Sequence, residues 1–567
     1  MLRGLFFCVL GSLAAGTWGC GTPPDIDDGV LRVAVAREPL TWNRLLASDL
    51  VTHVVTDQLH APLIRLNRQT QLMEPALAES WSFSEDGTVV EFKLKQEVRF
   101  SDGEPFTAAD VRFTFEVLHD PSTASPLVDT ARIDGEPLMA EVVDESTVRF
   151  RLPRRTATVE RIFDSIAILP EHRLSQSLAD GAIAAETGIG AKVENIVGLG
   201  PFRLFRHVAG QRVIVEKNPY YYRSDEGAFP ALDRIVFEIV PDASARLLRL
   251  RAGEIDLIEN VTTDGFQALS TASDSGVDDE GIVLSDLGPD LLTERLWFNL
   301  NPDSPIDDRK RRWFGDVRFR RAVSLAIDRV TMAEVAFGGL ASAATGPVSI
   351  ANHFWRDPEA KPFDYDLDRA RTLLSQAGFT WKDDALVDAD GEAVRFSVVT
   401  TAGNEQRERE LAFIQEDLAR LGIEVIPAPV EGASLVARIT RSFDYEACLL
   451  GFTLTDPDPS SEMALWLSQG PLHLWHPAQE SPATEWEARI DEIMEAQVRA
   501  TDPQERKLLY HELQRIVRRE LPVIDLLVPH ALRAYGRDVR LLRATPLGHV
   551  LWNSDEVEVV RRENAPN

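Results

Sequence analysis

The chain has 567 residues, 44% of them hydrophobic, so it can bury more than one core normally organises, and two or three domains are expected. Its 60 basic and 90 acidic residues leave a formal charge of -30, a field that repels nucleic acid and anionic lipid surfaces and disfavours a nucleic-acid role.

The N-terminus reads as a targeting segment. Arg3 supplies a positive start, residues 5–15 an apolar run too short to span a bilayer as a folded helix, and Thr17-Trp18-Gly19-Cys20 a processing site. This resembles a bacterial lipoprotein signal, with Gly19 on the pattern and Thr17 and Trp18 off it. The resemblance implies a leader over 1–19, a diacylated Cys20 and a tether over 20–28; secretion without lipid and an uncleaved anchor are the alternatives. Two acyl chains suffice for lasting attachment. Cys8 then leaves with the leader and Cys20 carries lipid, so no internal disulfide is expected. Cys448, in an apolar run, reads as a small buried hydrophobe.

Down the chain, alternation predicts a strand over 31–36, a helix over 49–59 and a strand over 62–66. Leu77 and Trp81 form an apolar anchor, Ser84-Glu85-Asp86-Gly87 a turn, 88–94 a half-buried strand and 98–100 a second strand. Thr107 with Asp110 is a capping signal for a helix carrying Val111, Phe115 and Leu118 on one face. A hairpin is expected between 132 and 152, strands over 211–216 and 235–239, and a helix over 243–251, the strand-helix-strand grammar of a parallel or mixed sheet. Stripes through Leu367 and Leu374, and through Leu411 and Leu418, give helices closed by Gly378 and Gly422. Strands follow over 423–426 and 446–450, then helices through Ile490 and Leu513.

The string from Pro75 to Val111, P-x-L-A-E-S-W, S-x-D-G, F-x-L, V-x-F-S-D-G-x-P-F-T-A-x-D-V, resembles the signature of the family 5 bacterial solute-binding proteins, the oligopeptide, dipeptide and nickel-binding receptors of ABC importers. Further segments are similar: Val197-Gly198-Leu199-Gly200-Pro201-Phe202 with Leu199 for the usual Thr, Asn218-Pro219-Tyr220-Tyr221-Tyr222, Gly253-Glu254-Ile255-Asp256, residues 316–329, which the resemblance implies as one helix, and Leu521-Pro522-Val523-Ile524-Asp525. The resemblance implies an α/β, two-lobed periplasmic-binding-protein fold of type II, the large three-domain form with mixed sheets. Lobe I would comprise 29–66, 191–294 and 523–567, an added subdomain 67–190, and lobe II 295–522.

Catalytic signatures are missing: there is no G-x-S-x-G, H-E-x-x-H, G-x-x-x-x-G-K or C-x-x-C, so no enzyme activity, cofactor or resident metal is expected. The i, i+3 pair His473 and His476, in a turn-like context, is expected to be two solvent-accessible imidazoles, with a nickel site as the sharper reading. His172 is expected at a loop as a surface or packing residue. For binding, the strand at 446–450 opens into Gly451-Phe452-Thr453-Leu454-Thr455-Asp456-Pro457-Asp458-Pro459, and ligands of open α/β sheets tend to lie at such strand ends. The segment is similar to the family's G-W-x-x-D-x-x-D-P, whose first Asp pairs with a peptide's amine. Here Phe452 stands on the Trp and Thr455 on that Asp, with Asp456 one place later. The resemblance thus implies Glu38, Trp42, Gly451, Phe452, Thr453, Thr455 and Asp456 as ligand-binding residues. It also implies a monomer in the periplasm or cell envelope, anchored to membrane through Cys20, delivering a peptide or other small solute to ABC permease subunits. Nickel chelates, other solutes, or sensing without transport remain alternatives.

Overall fold

The computed structural model describes residues 29–227, 229–270, 281–453, 456–477 and 479–560. The expected leader, Cys20, the tether and Thr455 lie outside them.

Two mixed sheets and one antiparallel sheet carry the fold. The first has the order Phe202–Val208, Arg212–Lys217, Arg234–Ile239, Val30–Val35, Leu257–Ile258, Leu527–Gly536, Ile282–Pro289, with Ala341–Ala343 added to Leu527–Gly536. Val30–Val35 runs parallel to both Arg234–Ile239 and Leu257–Ile258, and the helix Ala243–Arg251 makes the crossover between those two. Its alternation explains the placement: Leu31, Val33 and Val35 enter one core and Ala34 the core on the opposite face.

The second sheet has the order Glu424–Val430, Arg395–Thr401, Ala447–Thr453, Leu292–Phe298, Val523–Asp525. It too is buried on both faces. Leu296 and Phe298 join one core, while Trp297, between them, joins another with Cys448. Cys448 is fully buried, and burial pushes its thiol up, as befits a small hydrophobe.

The antiparallel sheet, Ala78–Phe83, Val89–Leu94, Thr147–Arg151, Ala140–Asp144, packs with the helix Ala108–His119 around Phe92, Phe115, Phe150 and Phe163. The capping box forms as the sequence indicates: Thr107 accepts from the Ala109 amide and Asp110 from the Thr107 amide. Asp110 also accepts from the Glu171 amide at 3.0 Å, which ties the helix Glu171–Ala179 to the same cap. The expected strand over 98–100 is a single bridge, Arg99 to Pro105. Residues 78–83 supply the neighbour strand instead, since Val89–Leu94 has its two edges filled by 78–83 and 147–151.

Another correction concerns 316–329. The chain forms Val317–Ala326, breaks at Ile327, and restarts as Arg329–Phe337 under an Asp328 cap. Asp328 is held there because its amide donates to Asp417 at 2.8 Å. Gly198 and Gly200 have a tighter reason than turn-making: a Cβ would stand 2.0 Å and 2.4 Å from the carbonyl oxygens of Leu59 and Gln58. The segment therefore presses the Phe202–Val208 strand onto the end of the Leu50–Leu59 helix.

The chain leaves the first sheet at Pro289 and enters the second at Leu292; it returns between Asp525 and Leu527. These crossings lie side by side, with the Leu526 amide donating to Glu294 O and the Asp290 amide to Pro529 O, both at 2.9 Å.

Candidate functional site

A cavity of about 330 Å³ opens between the helix Leu50–Leu59, the antiparallel unit, the C-terminal segment around His549 and the loop after Ala447–Thr453. Its floor is the helix Leu50–Leu59, capped by Asp49. His53 and Asp57, four apart, fall on one face. The turn Arg44–Leu46, fixed by Asn43 accepting from the Leu45 amide, presents Arg44 to Asp57. Asp57 receives Arg44 Nε at 2.5 Å and His549 Nε2 at 2.9 Å. Burial alone would raise this carboxyl, but Arg44 and His549 outweigh it and hold the group far below the usual range.

Burial pushes His53 and His60 down to about 4, Arg44 adding to the effect, so both imidazoles are neutral near pH 7. His60 Nε2 donates to the Trp42 carbonyl at 2.8 Å.

Along the side wall Arg65 meets Glu74 at 2.6 Å and lies 3.8 Å from Asp555. Asp555 also accepts from Tyr221 at 2.9 Å and pairs with Arg223. Asp456 enters from the second sheet's loop. Its Oδ2 lies 3.4 Å from Arg161 on the helix Val159–Ser165, and its Oδ1 accepts from the Asp458 amide at 2.8 Å. Burial raises the Asp456 carboxyl, opposed by Arg161.

Of the residues expected to bind ligand, Asp456 lines this cavity. Glu38 accepts from the Gly210 amide and pairs with His207, both at 2.7 Å. Trp42 is core, edge-on to His207 at 5.2 Å. Gly451 lies under a buried pair, where a Cβ would stand 2.7 Å from Glu294 Oε1 and 2.9 Å from Arg407 Nη2. Phe452 packs on Trp297 at 5.8 Å, and Thr453 ends the strand, exposed. The second Asp of the motif, Asp458, meets Arg506 through two hydrogen bonds of 2.7 and 2.9 Å, both side chains buried.

His473 is not solvent accessible. It is 1% exposed, lies tilted against the Trp475 ring at 3.9 Å and 3.6 Å from Glu487, so packing and a buried carboxylate occupy the imidazole. Among the described residues no group of three or more His, Cys, Asp or Glu could hold a metal ion. His172 pairs at the surface with Asp102 at 2.9 Å.

The sequence reading missed Arg44, Asp57, Arg65 and His549. His53 and Asp57 were visible as a helical pair, but nothing local announces that Asp57 meets His549, 492 residues away.

The model of the bacterial extracellular solute-binding proteins, family 5, matches residues 73–472, well over half of the sequence. The chain belongs to this family. Members of family 5 are solute-binding proteins. Among relatives, it is 28% identical over 419 residues to a probable ABC transporter-binding protein of Deinococcus radiodurans, covering 72% of this chain and 70% of that one. It is 26% identical to the oligopeptide-binding protein AppA of Bacillus subtilis, over 88% of this chain and 86% of the relative. Its fold is that of solved substrate-binding proteins. CtaP of Listeria monocytogenes matches with a TM-score of 0.77 at 23% identity, over 94% of this chain and 100% of that one. The nonapeptide complex of Bacillus subtilis AppA matches with 0.72 at 24%, over 94% and 99%. No helix among the described residues is long and apolar enough to cross a membrane.

Proposed function

We propose that this family 5 chain is the binding subunit of an ABC importer. It captures a small solute, a peptide foremost, by closing two lobes over the cavity and passes it unchanged to a membrane permease. The observation that carries this reading is the cavity's position. It is lined from the first sheet's side and the antiparallel unit, with Asp456 contributed from the second sheet's loop, and the chain crosses between the two sheets at two adjacent places, an arrangement suited to hinge closure. The lobe divisions expected at 294–295 and 522–523 are moved in this reading to 290–291 and 526, because Leu292–Phe298 and Val523–Asp525 pair within the second sheet, and 67–190 is kept as an added subdomain. A peptide would be held extended by main-chain hydrogen bonds, with hydrated pockets accepting varied side chains.

The relatives named above, one a probable ABC transporter-binding protein and the other an oligopeptide-binding protein, support the transport role and the choice of peptide. No chemistry is performed on the ligand, and the protein acts as a monomer. A diacyl chain on Cys20 holds it at the cell envelope; an unmodified Cys20 in membrane-fraction protein would remove that anchor.

The test of function is native mass spectrometry of the purified protein combined with small-angle scattering across a panel of peptides and other small solutes. Retained cargo and a smaller radius of gyration with peptide are expected. Identical scattering curves across the whole panel would overturn the reading.

A further inference from the structure

Away from the cavity, three polar side chains meet on one face of the first sheet. Ser342 Oγ, on the added strand Ala341–Ala343, lies 3.0 Å from His530 Nε2, and His530 Nδ1 lies 2.9 Å from Asp286 Oδ2. The strand Leu527–Gly536 carries His530 and pairs with both Ala341–Ala343 and Ile282–Pro289, so each of three strands contributes one member. The register brings them together. Ser342 stands opposite Val528 and Asp286 opposite Leu532, each two residues from His530, and residues two apart on a strand share a face. None of the three lines the cavity.

An imidazole joined through one nitrogen to a carboxylate and through the other to a hydroxyl unites a nucleophile, its base and the group that orients the base. With Nδ1 donating to Asp286, the ring is held in the tautomer whose Nε2 accepts the Ser342 proton. The group is reachable from solvent, since the His530 and Asp286 side chains are 16% and 35% exposed and Ser342 is half-buried. The His530 amide donates to Leu340 O and the Ala344 amide to Leu526 O, both at 3.0 Å. That alternation turns the Ala343 amide, the one following the nucleophile, to the strand's unpaired edge, where it remains a donor for the oxygen of a reacting carbonyl. Leu340 and Leu532 pack on the core of the same face and give the site an apolar border.

We propose that Ser342, His530 and Asp286 form an esterolytic site, separate from the solute cavity, that takes esters of small apolar acids. Ser342 Oγ bonds to the ester carbonyl carbon while its proton passes to His530 Nε2. The bond from that carbon to the alkoxy oxygen breaks, and the departing oxygen takes the proton from Nε2. Water repeats the sequence on the acyl-serine, so one ester and one water give one acid and one alcohol, and Ser342 is regenerated. Asp286 acts through His530, as a positioning residue. The solute held in the cavity is untouched, and the proposal does not rest on the binding role.

Hydrolysis of p-nitrophenyl acetate by the purified protein, together with fluorophosphonate labelling and peptide mapping, tests it. The label is expected on Ser342, and Ser342→Ala should remove it and slow hydrolysis about 100-fold. His530→Gln should do the same although the serine remains. Asp286→Asn should slow hydrolysis at least about tenfold and Asp286→Glu restore part of the rate, a recovery that a side chain serving only to brace the strands would not give. Ser342→Ala deletes a single hydroxyl, and an unchanged thermal midpoint shows that it folds. A Ser342→Ala protein as active as wild type, a label that maps elsewhere, or a wild-type protein that takes up no label overturns the site and leaves the binding role standing.

Discussion

Arg506, in the second lobe, donates to Asp458 at 2.7 and 2.9 Å, to the Gln497 carbonyl at 3.0 Å and to the Gln497 side chain at 2.8 Å, and lies 4.8 Å from the Trp355 ring. Every nitrogen of that guanidinium is engaged. Arg44, at the cavity, has one nitrogen on Asp57 and a buried Nη1 with none, and Arg68 has no partner among the described residues. The first arrangement fixes a backbone; the second leaves Arg68 unpaired at the cavity wall. A buried charge is thus informative about function only when its hydrogen-bonding capacity is left incomplete.

The largest expected effect comes from breaking the saturated kind. Arg506→Leu strands Asp458, whose carboxyl burial would raise and which Arg506 holds low, so stability should fall by about 3–5 kcal/mol. Urea denaturation measures it, with the midpoint shifting at nearly constant slope. A loss below about 1 kcal/mol would place Arg506 among groups that tolerate exposure, and the contrast between the regions would dissolve.

The two regions also differ in how they respond to pH. His60, held at about 4 against 6.5 in the unfolded chain, is neutral in the fold. Between those values the unfolded chain binds the extra proton, so the contribution is complete above pH 6.5 and is lost as pH falls toward 4. The loss is about 3 kcal/mol for a shift of this size. Glu410 behaves oppositely. Burial first, then Glu294, raise its carboxyl, against Arg407, and both oxygens are buried without a partner. There the folded chain binds the extra proton, so stability falls as pH rises above 4.5. His60→Gln should make the acid limb shallower, His53 keeping its own share, and Glu410→Gln should flatten the alkaline one. Denaturation midpoints from pH 4 to 8 decide this, and a single variant that flattened both limbs would contradict the assignment.

Much of the fold was readable from local rules. Thr107 and Asp110 gave the capped helix, and Gly378 and Gly422, at φ of 93° and 78°, end helices where their spacing placed them. The break at Ile327 was not, because apolar periodicity continues through it and the Asp417 carboxylate that holds the new cap lies 89 residues away. The site was less legible still. The strand-end rule led to Asp456, but Gly451 and Asp458 in the same motif serve buried ion pairs. Motif residues that hold a loop together look, in one sequence, like residues that hold a ligand.

The smallest effect on stability separates these two roles most cleanly. Arg161 and Asp456 are each 21% exposed at 3.4 Å, a pair worth at most about 1 kcal/mol. It joins the antiparallel unit to the second lobe, beside one main-chain bond from the Ala157 amide to Val498 O. A contact made only when the lobes meet stabilises closure and leaves each lobe's own packing untouched. Arg161→Gln should therefore leave the urea midpoint nearly unchanged while shifting the unliganded population about fivefold toward open forms. Energy transfer between dyes on the two lobes, read without ligand, would fall. If unfolding shifted by several kcal/mol while transfer stayed constant, Arg161 would belong with Arg506, and Asp456 would be one more carboxylate holding its own loop.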